Sequence, residues 1–466
     1  MSMGTLIRVA QDIDGRLQGP DASFESVSTD TRTIGPGQLF FALRGERYDA
    51  RKFVADAADK GAAGAVVEQF AEVELSQIAV GDSRLALGLL ARKWRQHFDL
   101  PVIGVTGSNG KTTVKELTAS IMRVALSEHG DDVVLATTGN LNNDIGLPLT
   151  LLGLRDFHKA AVIEMGANHP GEIAVLADIA AVNIAVITNA ARAHLEGFGR
   201  IEDVAQTKGE LLDALSGKET AILNRDDAFF SDWAARIGSA QLCTFGLSED
   251  ADVWAEQVQL VVNDGQPVFK FDLIAPAGRV AVSLPLAGQH NVMNALAAAA
   301  AALAAGATLN HVQAGLAASC NVPGRLRAFQ VATGATVYDD SYNANPDSVS
   351  AAISFLEELS GEPWLVLGDM GELGPDSAAL HRDMGELARD AGIHALFCIG
   401  DMSRETAAGF GAGARWFETA EALEKALRPE LVEGRNVLIK GSRFMALDQL
   451  VGWIESSMSV SHEGEG

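Results

Sequence analysis

The sequence predicts an α/β protein of three successive blocks, the second and third built as doubly wound sheets, and three observations carry that prediction. Continuous apolar runs such as PVIGVTG (101–107), KAAVIEMGA (159–167) and VNIAVITNA (182–190) alternate with helical segments, the pattern of parallel strands covered on both faces. The same rhythm returns in TVYDDSY (336–342), PWLVLGDM (363–370), ALFCIGD (395–401) and NVLIKGS (436–442). Between them, residues 253–284 alternate apolar and polar side chains, with turn signals at Asn263-Asp264-Gly265 and Pro276-Ala277-Gly278, as an antiparallel insertion does.

The first block is placed at residues 1–98. LFFAL (39–43), AGAVVE (63–68) and QIAVGD (77–82) read as short strands and 51–61 as helical, and Pro101 marks the start of a new unit. The second block, 99–322, resembles a P-loop ATPase in its strand–glycine loop–helix opening and closes through CNVPGRLRAF (320–329). Its alanine-rich stretch ALAAAAAALAA (295–305) is too short to span a bilayer and reads as a buried helix. The third block, 323–458, is Rossmann-like. Its glycine cluster GFGAG (409–413) precedes a strand instead of following one, so it is no dinucleotide fingerprint. Residues 459–466, SVSHEGEG, read as a disordered tail.

Composition narrows the function. At 466 residues the chain is long for one core, and 47% hydrophobic with 21% charged residues is a globular balance. A net charge of −25 argues against nucleic acid or an anionic membrane surface as partner, and leaves small anions open to a few local Lys and Arg. Cys243, Cys320 and Cys398 are scattered and odd in number, which fits a reducing compartment and neither a disulfide framework nor a zinc site. The start, MSMGTLIRVA, lacks the basic and apolar regions of a signal peptide.

The chemistry concentrates in a few segments. TGSNGKTT (Thr106, Gly107, Ser108, Asn109, Gly110, Lys111, Thr112, Thr113) misses the Walker-A pattern because Val105 stands where that pattern needs glycine. Its place between a strand and a helix is nevertheless that of a phosphate loop. There Lys111 would reach β- and γ-phosphates, and the Thr112 hydroxyl would ligate Mg²⁺. A glycine-rich turn that happens to precede lysine is the plainer alternative. Glu164 and His194 lie at or just past the next two apolar strands, so they and Thr112 would face one crevice; separately they read as a solvated carboxylate and a satisfied histidine. Lys208, in EDVAQTKGELL (202–212), looks like an ordinary helix lysine, and a special role would need a desolvated or metal-rich site that favours the neutral amine. Three further segments combine turn-forming residues with polar groups suited to a ligand: Asn140, Asn142 and Asn143 in TTGNLNNDIGLPL (137–149), His290, Asn291 and Asn294 just ahead of the alanine-rich helix, and Tyr342, Asn343 and Asn345 in DDSYNANPDSV (339–349).

In order along the chain, TGSNGKTT, GNLNNDIGLPL, VIEMGA, AHLEGFG, AQTKGEL, NRDD, GQHNVMNALAAAA, PGR, DDSYNANPDS, LGDMGELG and KGSR resemble the motifs of the Mur ligases, over roughly residues 28–445. STDTRTIGPGQLFFALRGERYDA (28–50) is similar to that family's uridine-nucleotide domain. The resemblance implies an ATP-dependent amide ligase that works through an acyl phosphate, in which T-G-x-N/S-G-K-T-T replaces Walker A. By the same resemblance Lys111 and Thr112 serve the phosphates and Mg²⁺, Glu164 and His194 bind magnesium, and Lys208 is carbamylated and helps hold a second magnesium; Lys111, Glu164, His194 and Lys208 are the catalytic set. His290, Asn291 and Asn294 would contact the nucleotide, with Arg325 and Asp340 completing the ATP site across a hinge near Pro323-Gly324. Ser28, Thr29, Asp30 and Arg32 would receive the uridine-diphospho end, and Asn140, Asn142, Asn143, Tyr342, Asn343 and Asn345 the rest of the substrates. YNANP and LGDMGELG point to the branch that joins D-alanyl-D-alanine to UDP-N-acetylmuramoyl-tripeptide, while no Asp-Asn-Pro-Arg motif marks the branch that adds the third residue. Folylpolyglutamate synthetase shares the central fold and should lack the uridine block. A cytoplasmic monomer with small-molecule substrates is the expectation. Two departures stand out: Ala50-Arg51 where the family commonly has Gly-His, and AARA (190–193) where it has Ile-Gly-x-Ala.

Overall fold

In the computed structural model, which describes residues 2–45, 48–263, 266–319 and 322–458, three main sheets are drawn from three separate stretches of sequence. The first sheet orders its strands Arg16–Gln18, Gln77–Ala79, Gly64–Val67, Gln38–Phe41 and Ser26–Ser28, parallel except for the pairing of Arg16–Gln18 with Gln77–Ala79. Leu39, Phe40, Phe41, Ala65, Val66 and Val67 are buried, so both faces are covered and the run is continuously apolar. The helical stretch expected over 51–61 is a 3₁₀ turn, Ala50–Phe53, leading into a short helix, Val54–Asp59. The Asp49 carboxylate caps that turn by accepting from the Arg51 N–H at 2.9 Å.

The central sheet is parallel throughout, ordered Val134–Ala136, Ala160–Glu164, Val102–Thr106, Ile184–Ile187, Thr220–Asn224 and Gln241–Phe245. The chain leaves Val102–Thr106 to build strands on both sides of it, so the topological switch point opens at the C-terminal end of that strand, where the glycine loop begins. Val105 stands opposite Glu164 on one neighbour and Val186 on the other. Residues 253–284 form a three-stranded antiparallel sheet that buries Phe269, Phe271, Leu273 and Leu284 against the central core. Pro276 and Ala277 turn its second strand into its third, whereas Asp264 and Gly265 of the other turn signal lie outside the described residues.

The alanine-rich helix begins at His290 and runs to Ala304. His290, Asn291 and Asn294 therefore lie inside its first turns and not ahead of it. Neither asparagine caps the helix, because Gln289 is the N-cap and makes no side-chain cap bond. Small alanine side chains let this helix pack closely on the helix Lys111–Ala125 behind the glycine loop.

The third sheet orders Arg327–Gln330, Thr336–Asp340, Arg435–Lys440, Glu362–Gly368, Ala395–Ile399 and Ala414–Phe417, parallel after its antiparallel first pair. GFGAG leads into the strand Ala414–Phe417, as its position in the sequence implies. Cys243 and Cys398 are free thiols; Cys320 and the tail 459–466 lie outside the described residues. Among the described residues no helix is long and apolar enough to cross a membrane.

Candidate active site

A cavity of about 1060 Å³ opens at the switch point, walled by the glycine loop, the loop 140–144, the turn 166–172 and segments of the third sheet's block. Ser108, Asn109, Gly110, Lys111 and Thr112 line it. Gly110 has φ +81°, and a Cβ there would run into the Asn294 side-chain oxygen, so the loop's tight approach to the alanine-rich helix requires glycine. A strand of chain beyond Ile187 braces the loop. Asn109 N–H donates to Asn189 Oδ1 at 2.9 Å, Thr188 Oγ1 donates to Asn109 O at 2.6 Å, and Ala191 N–H donates to Ser108 Oγ at 2.9 Å. Lys111 Nζ donates to the carbonyls of Gly107 and Ser108 at 2.8 and 3.0 Å. Burial lowers its pKa to about 8 against the pull of Glu164, with Arg325 adding to the depression.

Thr106 and Thr113 are buried and do not line the cavity. The Thr106 hydroxyl donates to Met165 O at 2.9 Å, tying the loop strand to the turn that follows Glu164.

Glu164 ends its strand inside the cavity and is buried. Asn142 Nδ2 donates to its Oε1 at 2.8 Å, while Oε2 is buried with no hydrogen-bond partner among the described residues. An orphaned carboxylate oxygen costs about 1–3 kcal/mol and calls for a cation. The backbone beneath is fixed by Glu164 N–H donating to Thr137 Oγ1 at 2.9 Å, and Thr137 O accepts from the buried Lys115 at 2.8 Å. Asn140 and Asn143 also line the cavity, and Asn143 Oδ1 accepts from Gly146 N–H at 2.9 Å.

His194 lines the same cavity with a left-handed backbone, φ +57°, and its Nδ1 bonds the Glu372 carboxylate from the third block. That contact holds the Glu372 pKa below the usual carboxylate value. Lys208 does not itself line the cavity. It is buried behind the wall, with Nζ 3.5 Å from the Ala167 carbonyl and 5.3 Å from the Phe198 ring centre. Burial, and then the charge of Lys111, lower its pKa to about 7, so the neutral amine is abundant at physiological pH. The desolvated site that its sequence position could not announce is present.

No group of three or more His, Cys, Asp or Glu gathers at metal-binding spacing among the described residues. A divalent ion here would draw on one carboxylate, a hydroxyl and phosphate oxygens, the ligand set Mg²⁺ commonly takes. Thr112 and Glu164, with its free Oε2, fit that demand, and His194, its Nδ1 held by Glu372, brings a ring nitrogen to the same cavity.

The third block supplies the opposite wall. Arg325 stacks on Tyr342 at 4.3 Å to the ring centre, and Tyr342, Asn343, Asn345 and Lys440 line the cavity. Asp340 is held back from it, buried and paired with Lys440 Nζ at 2.6 Å. Asn345 caps the helix Pro346–Glu357 and donates to Asn109 Oδ1 at 2.8 Å, so its amide is committed to the glycine loop. Gly324, at the expected hinge, donates its N–H to Asp339 at 3.0 Å. Sequence reasoning missed Glu372, Lys440 and Asn189, which sit in the quoted LGDMGELG, KGSR and VNIAVITNA segments, and Lys115, which carries no local signal.

Two predicted sets lie elsewhere. Asn291 and Asn294 are buried against the far side of the loop, Asn291 Nδ2 donating to Ala287 O and Asn294 Nδ2 to Asn291 Oδ1 at 2.8 Å. His290 beside them keeps an accessible surface, and the surrounding protein mass lowers its pKa against the pull of Asp340. Ser28, Thr29, Asp30 and Arg32 stand in the first sheet's block, outside the cavity. There the Arg32 guanidinium holds the Asp30 pKa at about 2.

Known proteins are similar to this chain in sequence and in fold. Residues 105–302 match the model of the Mur ligase middle domain, and 324–443 that of the Mur ligase glutamate ligase domain. The UDP-N-acetylmuramoyl-tripeptide–D-alanyl-D-alanine ligase of Escherichia coli is 43% identical over 96% of this chain and 97% of its own. A crystal structure of MurF from Acinetobacter baumannii superposes with a TM-score of 0.89 at 36% identity, covering 97% of this chain and 98% of that one. MurF ligase from Thermotoga maritima in complex with ADP superposes with a TM-score of 0.80 at 26% identity, covering 93% and 97%. With both family models spanning its second and third blocks and a close relative aligned along nearly all of its length, the chain belongs to the Mur ligase family.

Proposed function

We propose that the protein is an ATP-dependent ligase that joins D-alanyl-D-alanine to the C-terminal carboxylate of UDP-N-acetylmuramoyl-tripeptide, a step of peptidoglycan precursor synthesis. The observation that carries this reading is the single cavity in which the glycine loop, Glu164 with its unpartnered Oε2, and His194 meet the Tyr342–Asn345 wall. The 43% identical relative of that name supports the choice of substrates.

In this reading residues 1–98 take the uridine end through Ser28, Thr29, Asp30 and Arg32, residues 99–322 hold ATP, and 323–458 close over it and bring the dipeptide. The γ-phosphoryl of ATP passes to the tripeptide carboxylate, giving an acyl phosphate and ADP. The deprotonated amine of the dipeptide then attacks the acyl carbon, and phosphate leaves from the tetrahedral intermediate. Lys111 turns from the loop carbonyls to the phosphates, while His290, Asn291, Asn294, Arg325 and Asp340 shape the nucleotide's surroundings. Bound Mg²⁺, two ions in this reading, would offset the charge crowding between carboxylate and phosphate. Thr112, Glu164 and His194 would hold it. Lys208, as the neutral amine, would add to CO₂ with release of a proton, and the resulting carbamate, longer than the amine, would offer a carboxylate-like ligand where a lysine could not. The closed wall excludes water, which would otherwise hydrolyse the acyl phosphate. A cytoplasmic setting fits these substrates.

Phosphate release by the purified protein with ATP, Mg²⁺ and UDP-N-acetylmuramoyl-tripeptide should depend on D-alanyl-D-alanine, and the product mass should equal both substrates joined less water. Strict dependence on diaminopimelate, lysine or glutamate as the incoming amine overturns the assignment.

A further inference from the structure

We propose that Arg84 and Asp144 read the far end of the tripeptide's third residue, favouring a side chain that ends in both an ammonium and a carboxylate, as diaminopimelate does, over one that ends in an ammonium alone, as lysine does. The inference rests on the ligase reading above.

Arg84 Nη2 lies 2.7 Å from Asp144 Oδ2 and 2.8 Å from Oδ1, and both side chains face the cavity, 44% and 42% exposed. Among the described lining residues Arg84 is the one drawn from the chain before Pro101, so the pair joins the uridine-end block to the centre. Asp144 stands two residues beyond Asn142, whose amide holds Glu164. Two residues span at most about 7 Å of chain, within reach of one long side chain whose own carboxyl group is being activated beside Glu164.

The pair is held before substrate arrives. Asp82 caps the helix that carries Arg84, accepting from Arg84 N–H at 2.8 Å, and Ser83 is tied to Glu68 at 3.1 Å. On the other side, Asn143 Oδ1 accepts from the N–H of Gly146, where a Cβ would run into the backbone of Leu141. The other lining cations are occupied elsewhere: Lys111 with the loop carbonyls, Lys440 with Asp340, and Arg325 and Arg443 against Tyr342.

An Arg–Asp pair is a dipole. A zwitterionic end laid antiparallel to it meets each charge with its opposite and leaves neither group alone. A lysine end engages Asp144 by drawing it from Arg84, which then faces no anion.

Ligation of D-alanyl-D-alanine would be measured with two purified substrates, UDP-N-acetylmuramoyl-tripeptide ending in meso-diaminopimelate and its L-lysine counterpart. The wild type should prefer the first by about tenfold or more in kcat/KM, a difference of about 1.4 kcal/mol, carried by KM. Arg84→Ala should narrow that preference to about twofold, and Arg84→Lys should restore part of it, since its ammonium keeps the charge and loses the fork. Equal use of the two substrates by the wild type, or a preference for lysine, overturns the inference and leaves the ligase reading standing. An Arg84→Ala protein that weakens for both substrates with the preference intact also overturns it, placing Arg84 on the sugar or diphosphate. If Arg84→Ala does not fold, the wild-type ratio and Arg84→Lys decide. Failure of the wild type to ligate the dipeptide to either tripeptide overturns the ligase reading, and this inference with it.

Discussion

Asn142 Nδ2 donates to Glu164 Oε1 at 2.8 Å, and the second oxygen of the same carboxylate is buried with no hydrogen-bond partner among the described residues. One side chain thus fixes the carboxylate's orientation and leaves one acceptor site for a cation. Asn142→Ala should lower activity by about tenfold to a hundredfold and raise the Mg²⁺ concentration needed for half-maximal rate, as losses of groups that orient metal ligands do. Glu164→Gln, which keeps the shape and removes the charge, should abolish turnover. Phosphate release across a Mg²⁺ titration measures both. Unchanged Mg²⁺ dependence in Asn142→Ala would mean that Glu164 needs no orienting.

The buried Lys208 amine should make the carbamate pH-dependent. Burial lowers its pKa to about 7, so the amine is protonated and inert to CO₂ below that pH and free above it. Labelled bicarbonate should give a carbamate signal in ¹³C NMR at pH 8 that fades towards pH 6 and is missing from Lys208→Ala. A short-chain carboxylic acid added to that variant should recover amide formation; undiminished activity without it would refute the role.

Gly110→Ala should cripple nucleotide binding without unfolding the protein. The position has φ +81°, and the added methyl would strike the Asn294 side chain. A left-handed non-glycine residue costs roughly 1–2 kcal/mol before that clash is counted, so ATP affinity measured by calorimetry should fall at least about tenfold. Asn294→Ala in the same background removes the clash and leaves the backbone strain, and should recover part of the loss.

Arg192, in the AARA departure, pairs with Asp347 at 3.0 Å and donates its N–H to the same carboxylate at 2.6 Å. This joins the second block to the third beside the His194–Glu372 contact. Both charged side chains are at least one-third exposed, so the pair is worth about 0.2–1 kcal/mol and is screened by salt. Arg192→Ala should change the KM for ATP by no more than about fivefold, an effect that shrinks as ionic strength rises. Glu372→Ala, which strips His194 of its partner inside the cavity, should cost far more, and the loss should appear in kcat at both low and high salt. Steady-state kinetics at two salt concentrations separate the two.

Much of this was legible beforehand for identifiable reasons. The strand runs 102–106, 160–164 and 184–187 are apolar because both faces of a parallel sheet are covered, and that covering is visible as composition. The loop was legible because strand, glycines, lysine and threonine are contiguous. The start of the alanine-rich helix was misread because Asn291 and Asn294 look like caps, while tertiary contacts with Ala287 and the loop hold them inside the helix. Asn345 had the opposite fate: it resembles a ligand group and turns out to cap a helix and clasp Asn109.

Residue type and order alone determined the α/β class, the glycine loop that departs from the Walker pattern, and the family, since each is written in contiguous segments whose chemistry is local. Only the tertiary structure decided which polar groups are spent and which are open. The neutral tendency of Lys208, the orphaned oxygen of Glu164, the retreat of Asp340 behind Lys440 and the pairing of Arg84 with Asp144 all depend on burial and on partners distant in sequence. Desolvation and charge pairing are properties of a packed environment, and no single stretch of sequence contains that environment.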